Sequence, residues 1–185
     1  TVSGVIGDPY PDWLMNINTA LSWKGLTVSG LLDIRKGGDI WNGTNARMNR
    51  IGISEASGER DHTFVIEGVI EQADGSYVAN DIEIAPEDYW GDYLGDFGAS
   101  SQAIQDGGWV RLREVKLAYT FTLDPKNVIK GLSVSATGRN LWLKTDYLGV
   151  DPETSLTGAG SNISGFDWFN NPGTKSYLFS VNAAF

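Results

Sequence analysis

The last eleven residues of this chain alternate between large apolar and smaller polar side chains. Because side chains of a strand alternate between its two faces, the apolar side chains of residues 175–185 would share one face. That face carries Tyr177, Phe179, Val181, Ala183 and Phe185. An alternating strand that ends on an aromatic residue is typical of outer-membrane β-barrels, with the apolar side toward lipid. The last strand of a soluble β-sandwich is the competing interpretation of this segment alone.

Two more alternating segments, residues 13–23 and 26–36, are predicted to form a hairpin. The first has a tryptophan at each end of its apolar face and the length of about 9–11 residues that a tilted membrane strand needs. Lys24 and Gly25 make the turn between the segments. Asp33 falls on the second face of the hairpin, where a wet interior tolerates charge and a dry sandwich core does not. The hairpin therefore favours the barrel.

Residues 109–121 are predicted to be a strand with one irregularity. Val110 and Leu112 lie on the opposite parity from Val115, so the alternation slips within the segment. The slip predicts either a β-bulge near residues 113–114 or emergence of the strand above the lipid.

The predicted fold class is all-β, with five antiparallel membrane strands at residues 13–23, 26–36, 109–121, 131–142 and 175–185. Five strands cannot close a barrel, because an open edge in lipid leaves costly unpaired backbone groups. We therefore expect the chain to form the C-terminal part of a larger transmembrane barrel, whose remaining strands lie outside it. The connections at residues 37–108 and 143–173 are predicted to be long extracellular loops, since such barrels have short periplasmic turns.

Acidic residues are concentrated in the first of these loops. The chain has a net charge of -9, and residues 37–108 hold 14 acidic and 3 basic side chains. This distribution argues against nucleic acid as a partner, because phosphate contacts need a basic face. Within this loop the sequence predicts a hairpin around residues 73–75 and a helical turn after Pro86.

Six segments form a recognisable series along the chain: GDPYPDW (7–13), LDIRKGGDIWNGT (32–44), VRLREVKLAYTF (110–121), IKGLSVSATGRNLW (129–142), DYLGVDPE (146–153) and the terminal aromatic strand. In this order they resemble the C-terminal end of SusC/RagA-family TonB-dependent transporters of Bacteroidota. The resemblance covers nearly the whole chain and is weakest between residues 52 and 108.

The resemblance implies a barrel of about 22 strands in the cell outer membrane, with an N-terminal plug domain that is not in this chain. It also implies a SusD-like surface lipoprotein as a lid, and import of oligosaccharides or oligopeptides driven by the TonB complex through the N-terminal part. The terminal strand, with Tyr177, Phe179, Val181 and Phe185, would close the barrel and supply an aromatic assembly signal. The alternative function is that of a secreted β-sandwich module that binds glycans.

Aromatic residues in the two loops are the candidate contacts for a ligand or for the lid. The candidates are Tyr89, Trp90, Tyr93 and Phe97 in the first loop, Asp167, Trp168 and Phe169 in the second, and Trp41 and Asn42 next to the membrane. Aromatic faces stack on sugar rings, and carboxylates accept hydrogen bonds from sugar hydroxyls. Packing within the loops is the competing interpretation, and for Trp41 it is anchoring at the membrane interface.

The sequence predicts neither catalysis nor a cofactor. The absence of cysteine excludes thiol catalysis and a cysteine zinc site. His62 is the single histidine and is interpreted as a solvated loop residue. Carboxylates could supply the oxygen ligands of a structural calcium ion, but the spacing of an EF-hand loop is not present.

Overall fold

The computed structural model describes residues 4–96, 98–124, 126, 128–157 and 160–185. The chain divides into two compact units. The first, which we call the loop unit, comprises Thr1–Asp8, Asp39–Gln105 and Ser155–Asn170. The second, the sheet unit, comprises Pro9–Gly38, Asp106–Thr154 and Asn171–Phe185.

The sheet unit contains one antiparallel sheet of five strands. They are β1 (Trp13–Trp23), β2 (Leu26–Lys36), β3 (Trp109–Phe121), β4 (Gly131–Thr145) and β5 (Ser176–Ala184). Each strand pairs with the next one in this order, so that β1 and β5 form the two edges of the sheet. The predicted fold class, five antiparallel strands in an all-β chain, is confirmed.

A two-residue turn joins β1 to β2. Lys24 and Gly25 both have positive φ, at 46° and 87°, which is the conformation of the tight hairpin turns that match strand twist. The backbone N–H of Thr120 on β3 donates to the carbonyl of Gly25 over 2.8 Å. A Cβ at Gly25 would lie 2.5 Å from the carbonyl oxygen of Thr120, so both its conformation and its close approach to β3 require glycine.

The register of the sheet gathers the apolar side chains on one face. Opposite residues of an antiparallel pair share a face, and Val134 of β4 lies opposite Tyr119 of β3 and Val181 of β5. Likewise Val28 of β2 lies opposite Leu117 of β3. This apolar face consists of the odd-numbered residues of β1 and β5, the even-numbered residues of β2 and β4 other than Asn140, and residues 110, 112, 115, 117, 119 and 121 of β3.

Large side chains of the apolar face are open to the surroundings. Ile17, Val134 and Phe179 are 45%, 37% and 79% exposed, although a sandwich core would bury all three. The opposite face, which we call the polar face, carries serines, threonines, asparagines and the ion pairs described below. A sheet with one apolar and one polar face matches the requirement for a wall between lipid and a wet lumen.

A β-bulge in β3 explains the slip in its alternation. Leu31 and Leu32 of β2 lie opposite Glu114 and Leu112, so that Arg113 is the extra residue of β3. The bulge returns the upper part of β3 to the same apolar face as its lower part. The predicted bulge is confirmed.

Two residues of the partner strand β4, Asn140 and Leu141, lie opposite this single bulged residue of β3. The pairing of β4 with β3 is interrupted between Arg139 and Trp142 and then continues to Thr145, three residues beyond the strand end expected at residue 142. Asn140 adopts a positive φ of 52° within this irregularity. Leu141 folds back over Gly138, where an added Cβ would lie 2.8 Å from a methyl carbon of Leu141.

The centre of the loop unit is a three-stranded sheet next to a short helix. Strand Asp39–Asn42 lies between Phe166–Asp167 and Ile104–Asp106. Helix α1 (Gly43–Arg50) follows this strand directly. Asn42, the last residue of the strand, caps the helix by accepting a hydrogen bond from the backbone N–H of Asn45 over 2.9 Å.

A small hairpin and several short helical turns complete the loop unit. Strand Val69–Glu71 pairs with Tyr77–Ala79, and Phe64–Val65 pairs with Glu83–Ile84. Helix α2 (Pro86–Asp88) continues into a π-helical turn at Tyr89–Tyr93, and 3₁₀ turns lie at Ala56–Gly58 and Ser100–Ala103. None of the helices within the described residues is long and apolar enough to cross a membrane.

The turn of the small hairpin is held by one carboxylate. Asp74 accepts hydrogen bonds from the hydroxyl and the backbone N–H of Ser76, over 2.6 and 2.9 Å. Both bonds stabilise the ionised form, and they hold the pKa of Asp74 below its ordinary value of 3.8.

Candidate functional site

The aromatic candidates of the first loop come together in the loop unit. The rings of Phe64 and Tyr89 stack with centroids 4.1 Å apart, and Trp90 packs edge-on against Tyr89 at 5.1 Å. Tyr93 lies 5.6 Å from Tyr89. Phe97 lies outside the described residues. We call the group of Phe64, Tyr89, Trp90 and Tyr93 the first aromatic cluster.

Two members of this neighbourhood were missed from the sequence. Phe64 stacks on Tyr89 from 25 positions earlier in the chain, and the ring of His62 lies 4.5 Å from that of Phe64. The indole N–H of Trp90 donates to the carbonyl oxygen of Glu59 over 3.2 Å, which fixes the ring. The cluster thus packs the loop internally, and its contact with a ligand or lid stays a prediction.

The candidates of the second loop meet Trp41 in a second aromatic cluster, formed by Trp41, Phe166, Trp168 and Phe169. Trp41 and Trp168 stack with an interplanar angle of 6° and centroids 5.9 Å apart. Phe169 packs edge-on against Trp168 at 5.5 Å and is itself exposed. Pairing of the parallel strands brings these rings together, since Phe166 lies opposite Trp41.

The two polar candidates beside this cluster are buried and bonded within the protein. Asn42 and Asp167 are each 1% exposed. Besides capping α1, Asn42 donates to the side-chain oxygen of Gln105 over 3.3 Å, and Asp167 accepts from the hydroxyl of Thr44 over 3.1 Å. These contacts order the strands and α1 beneath the rings, so the exposed aromatic surface is the part of the cluster open to a ligand.

Replacing Gly43 with alanine is expected to disrupt the stacking of the second aromatic cluster. An added Cβ at this buried position would overlap ring carbons of both Trp41 and Trp168, and an overpacked core site costs about 1–3 kcal/mol. Near-UV circular dichroism should lose tryptophan signal and the loop unit should become more sensitive to protease. Gly68→Ala is the control, because a Cβ there meets nothing within 4 Å; equal behaviour of the two variants would contradict the expectation.

An ion-pair cluster on the polar face was not anticipated from the sequence. Arg111 of β3 donates to Asp151 over 2.6 Å, and the two residues are 4% and 5% exposed. Arg113 donates to Asp33 of β2 over 2.5 Å, and it also donates to both carboxylate oxygens of Glu153. The signal in the sequence is the pair of arginines in β3 together with the carboxylates of DYLGVDPE, but they lie 40 positions apart.

This ion-pair cluster fixes residues 151–153 to the strands. The guanidinium carbons of Arg111 and Arg113 lie 5.4 and 5.1 Å from the centre of the Trp109 ring, which is itself buried. Charge-assisted, two-pronged contacts of this kind are strong and directional. The cluster therefore positions the start of the second long connection against the polar face of the sheet.

Within the described part of the chain, no group of three or more His, Cys, Asp or Glu residues could hold a metal ion. The predicted lack of a cofactor stays a prediction.

The candidate residues of the terminal strand are all exposed. Tyr177, Phe179, Val181 and Phe185 lie on or directly after β5, on the apolar face. Among the described residues, β5 pairs only with β4, and β1 only with β2. Both edges of the sheet therefore present backbone groups that further strands can pair with.

Comparison with curated proteins gives similarity to TonB-dependent receptors. No family model matches the chain. TonB-dependent receptor P26 of Formosa agariphila is 28% identical over 189 residues, covering 98% of this chain and 18% of the receptor. TonB-dependent receptor P3 of the same organism is 24% identical over 187 residues, covering 98% of this chain and 17% of that receptor. The chain thus spans under a fifth of the length of these curated relatives.

Solved structures agree at the level of the fold. The RagAB peptide importer in its closed-closed state matches 98% of this chain and 18% of its own chain, with a TM-score of 0.69 and 17% identity. The open-open state of the importer matches 95% of this chain and 17% of its own chain, with a TM-score of 0.67 and 19% identity. The resemblance to TonB-dependent transporters is confirmed, and the fold is that of a segment of their barrels. These relatives are receptors and importers, not enzymes.

Proposed function

We propose that this chain is the C-terminal barrel segment of a TonB-dependent importer of the outer membrane, which takes up oligosaccharides or oligopeptides. The observation that carries the proposal is the sheet with one continuous, exposed apolar face and one polar face. Lipid leaves no partner for backbone groups, so the edges at β1 and β5 require further strands of the same transporter. Strands, plug and TonB contact would come from the part of the transporter N-terminal to this chain.

The lengths of the connections between the strands support one orientation for this segment. The Lys24-Gly25 turn and residues 122–130 would lie on the periplasmic side, and the two long connections would leave the opposite, extracellular end. Both aromatic clusters belong to those long connections, as expected for surfaces that meet a ligand or a SusD-like lipoprotein lid. Solved structures of like fold are of the RagAB peptide importer, which supports import rather than passive anchoring.

Deleting residues 81–100 is expected to reduce substrate uptake about tenfold or more while the barrel still assembles. The deletion removes Tyr89, Trp90 and Tyr93, and loss of aromatic contacts of this size costs roughly 1–3 kcal/mol of binding. Uptake of labelled substrate by whole cells and heat-modifiable mobility of the full-length transporter on gels measure the two effects separately. Removal of the small hairpin, residues 69–79, is the control and should leave uptake intact. Unchanged uptake after the first deletion would count against the ligand role.

A further inference from the structure

A cleft of about 400 Å³ opens in the loop unit beside the first aromatic cluster. One wall comes from the end of α1 and residues 49–60, and the other from residues 86–91. A second cleft of about 430 Å³ adjoins it and shares the side chains of Arg50, Ile51 and Glu87. Such volumes fall in the range of about 300–1,000 Å³ that is usual for small-ligand sites.

The first wall gathers the basic side chains of an otherwise acidic segment. Residues 37–108 contain 14 acidic but only three basic side chains, Arg47, Arg50 and Arg60, and all three line the two clefts. Arg47 and Arg50 are held by one shared carboxylate, that of Asp96, over 3.1 and 3.5 Å. Asp96 pairs with two of the three guanidinium groups and Arg60 takes no part in these contacts, so the arginines outnumber the carboxylate that holds them and leave this wall positive.

Arg60 is oriented by backbone groups. Its guanidinium donates to the carbonyl of Ser57 over 2.9 Å and to the carbonyl of Gly52. In the described part of the chain it takes part in no ion pair. Carbonyl acceptors fix the direction of the guanidinium without cancelling its charge, so Arg60 is prepared to bind an anionic group.

The opposite wall is acidic and partly apolar. Glu87 lines both clefts, while Asp88 and Asp92 line the second, and all three side chains are exposed. Among the residues that the structure describes, none of these carboxylates forms an ion pair. Trp90 and Ile51 add apolar surface between the two charged walls.

We propose that this cleft binds the zwitterionic part of a ligand, with a carboxylate on Arg50 and Arg60 and an ammonium group on Glu87. Opposed walls of opposite charge stabilise a molecule that carries both charges, whereas a simple anion meets the surrounding acidic residues. A neutral sugar gains neither ion pair. The inference rests on the proposed function and narrows its substrate to an amino-acid-like molecule, either a free amino acid or a short peptide with both termini free.

Binding of defined probes to the full-length transporter in detergent tests the inference. The probes are trialanine, its C-terminal amide, its N-acetyl derivative, free alanine and a neutral glucose hexasaccharide, measured by isothermal titration calorimetry. Trialanine is expected to bind at least about tenfold more tightly than either blocked peptide, because each block removes one charged contact. If free alanine binds as tightly as trialanine, the zwitterionic ligand is a single amino acid. If alanine binds weakly, the ligand is a peptide.

Single substitutions assign each charge to its wall. Arg60→Gln should abolish the preference for the free carboxylate, and Glu87→Gln should abolish the preference for the free amine, with unchanged melting curves. Arg139→Gln, in an exposed ion pair of the sheet unit, is the control and should preserve both preferences. Equal affinity of the free and blocked peptides, or tighter binding of the hexasaccharide, would overturn the inference. If the unmodified protein still inserts into the outer membrane and supports uptake, that result overturns only the ligand assigned to the cleft. If the unmodified protein neither inserts nor supports uptake, the proposed importer function is itself overturned.

Discussion

Replacing Ile17 with arginine is expected to destabilise the inserted barrel by about 2–4 kcal/mol, the cost of an arginine on the lipid side near the middle of the membrane. Ile17 is the fifth of the eleven residues of β1 and lies on the apolar face, opposite Leu32 of β2. Urea unfolding of the full-length protein in lipid vesicles measures the loss. Slower insertion should accompany it, because the same charge must enter the lipid during assembly.

Asn18→Arg is the matched control for this substitution. Asn18 is the next residue of β1 and lies on the polar face, opposite Leu31. The same charge added one position along the chain should cost little, since a wet lumen solvates it. Equal destabilisation by both substitutions would contradict the assignment of the two faces, and a reversed order would place lipid on the other side of the sheet.

Replacing Arg111 with methionine is expected to cost about 3–5 kcal/mol, the usual result of removing one partner from a buried ion pair. Methionine keeps much of the volume of the side chain, but it leaves the Asp151 carboxylate buried without its guanidinium partner. The expected first consequence is release of residues 146–154 from the polar face. Protease cleavage within this segment and the melting temperature of the full-length protein would report the change.

Arg139→Met is the control for Arg111→Met, because it removes the same charge from an ion pair that is exposed instead of buried. Arg139 pairs with Glu114 on the same polar face, over 2.9 Å, but its side chain is 58% exposed. Exposed pairs of this kind contribute about 0–1 kcal/mol, so the control should unfold almost as the unmodified protein does. If the two arginine variants lost equal stability, the buried pair would have no special role in holding the segment.

The strands could be predicted from the sequence because their signal is local. In β1 and β2 the two-residue period is complete, and Lys24 and Gly25 mark the turn between them. The bulge at Arg113 was also visible, as a change of parity within thirteen residues. By contrast, the irregularity of β4 at Asn140 and Leu141 was hidden, because Gly138, Arg139 and Asn140 interrupt the apolar pattern without showing where pairing resumes.

The candidate site was only partly predictable, because its contacts join distant parts of the chain. Tyr89, Trp90 and Tyr93 were found because they form a dense aromatic group within a few residues of the first loop. Trp41 and Trp168 were both candidates, but nothing local indicated that they stack on each other. The pairing of Arg111 with Asp151 depends on the path of a connection that carries no periodicity.

The bulge at Arg113 makes chain length, and not only residue type, a determinant of what faces the membrane. Below the bulge the odd-numbered residues of β3 point to the apolar face, and above it the even-numbered residues do. If β3 ran through Arg113 without the bulge, its upper part would rotate by one position and Arg111 would turn toward lipid, away from Asp151. Deleting Arg113 itself would instead restore a regular alternation and keep Arg111 on the polar face. What faces the membrane therefore depends on the position at which a residue is gained or lost.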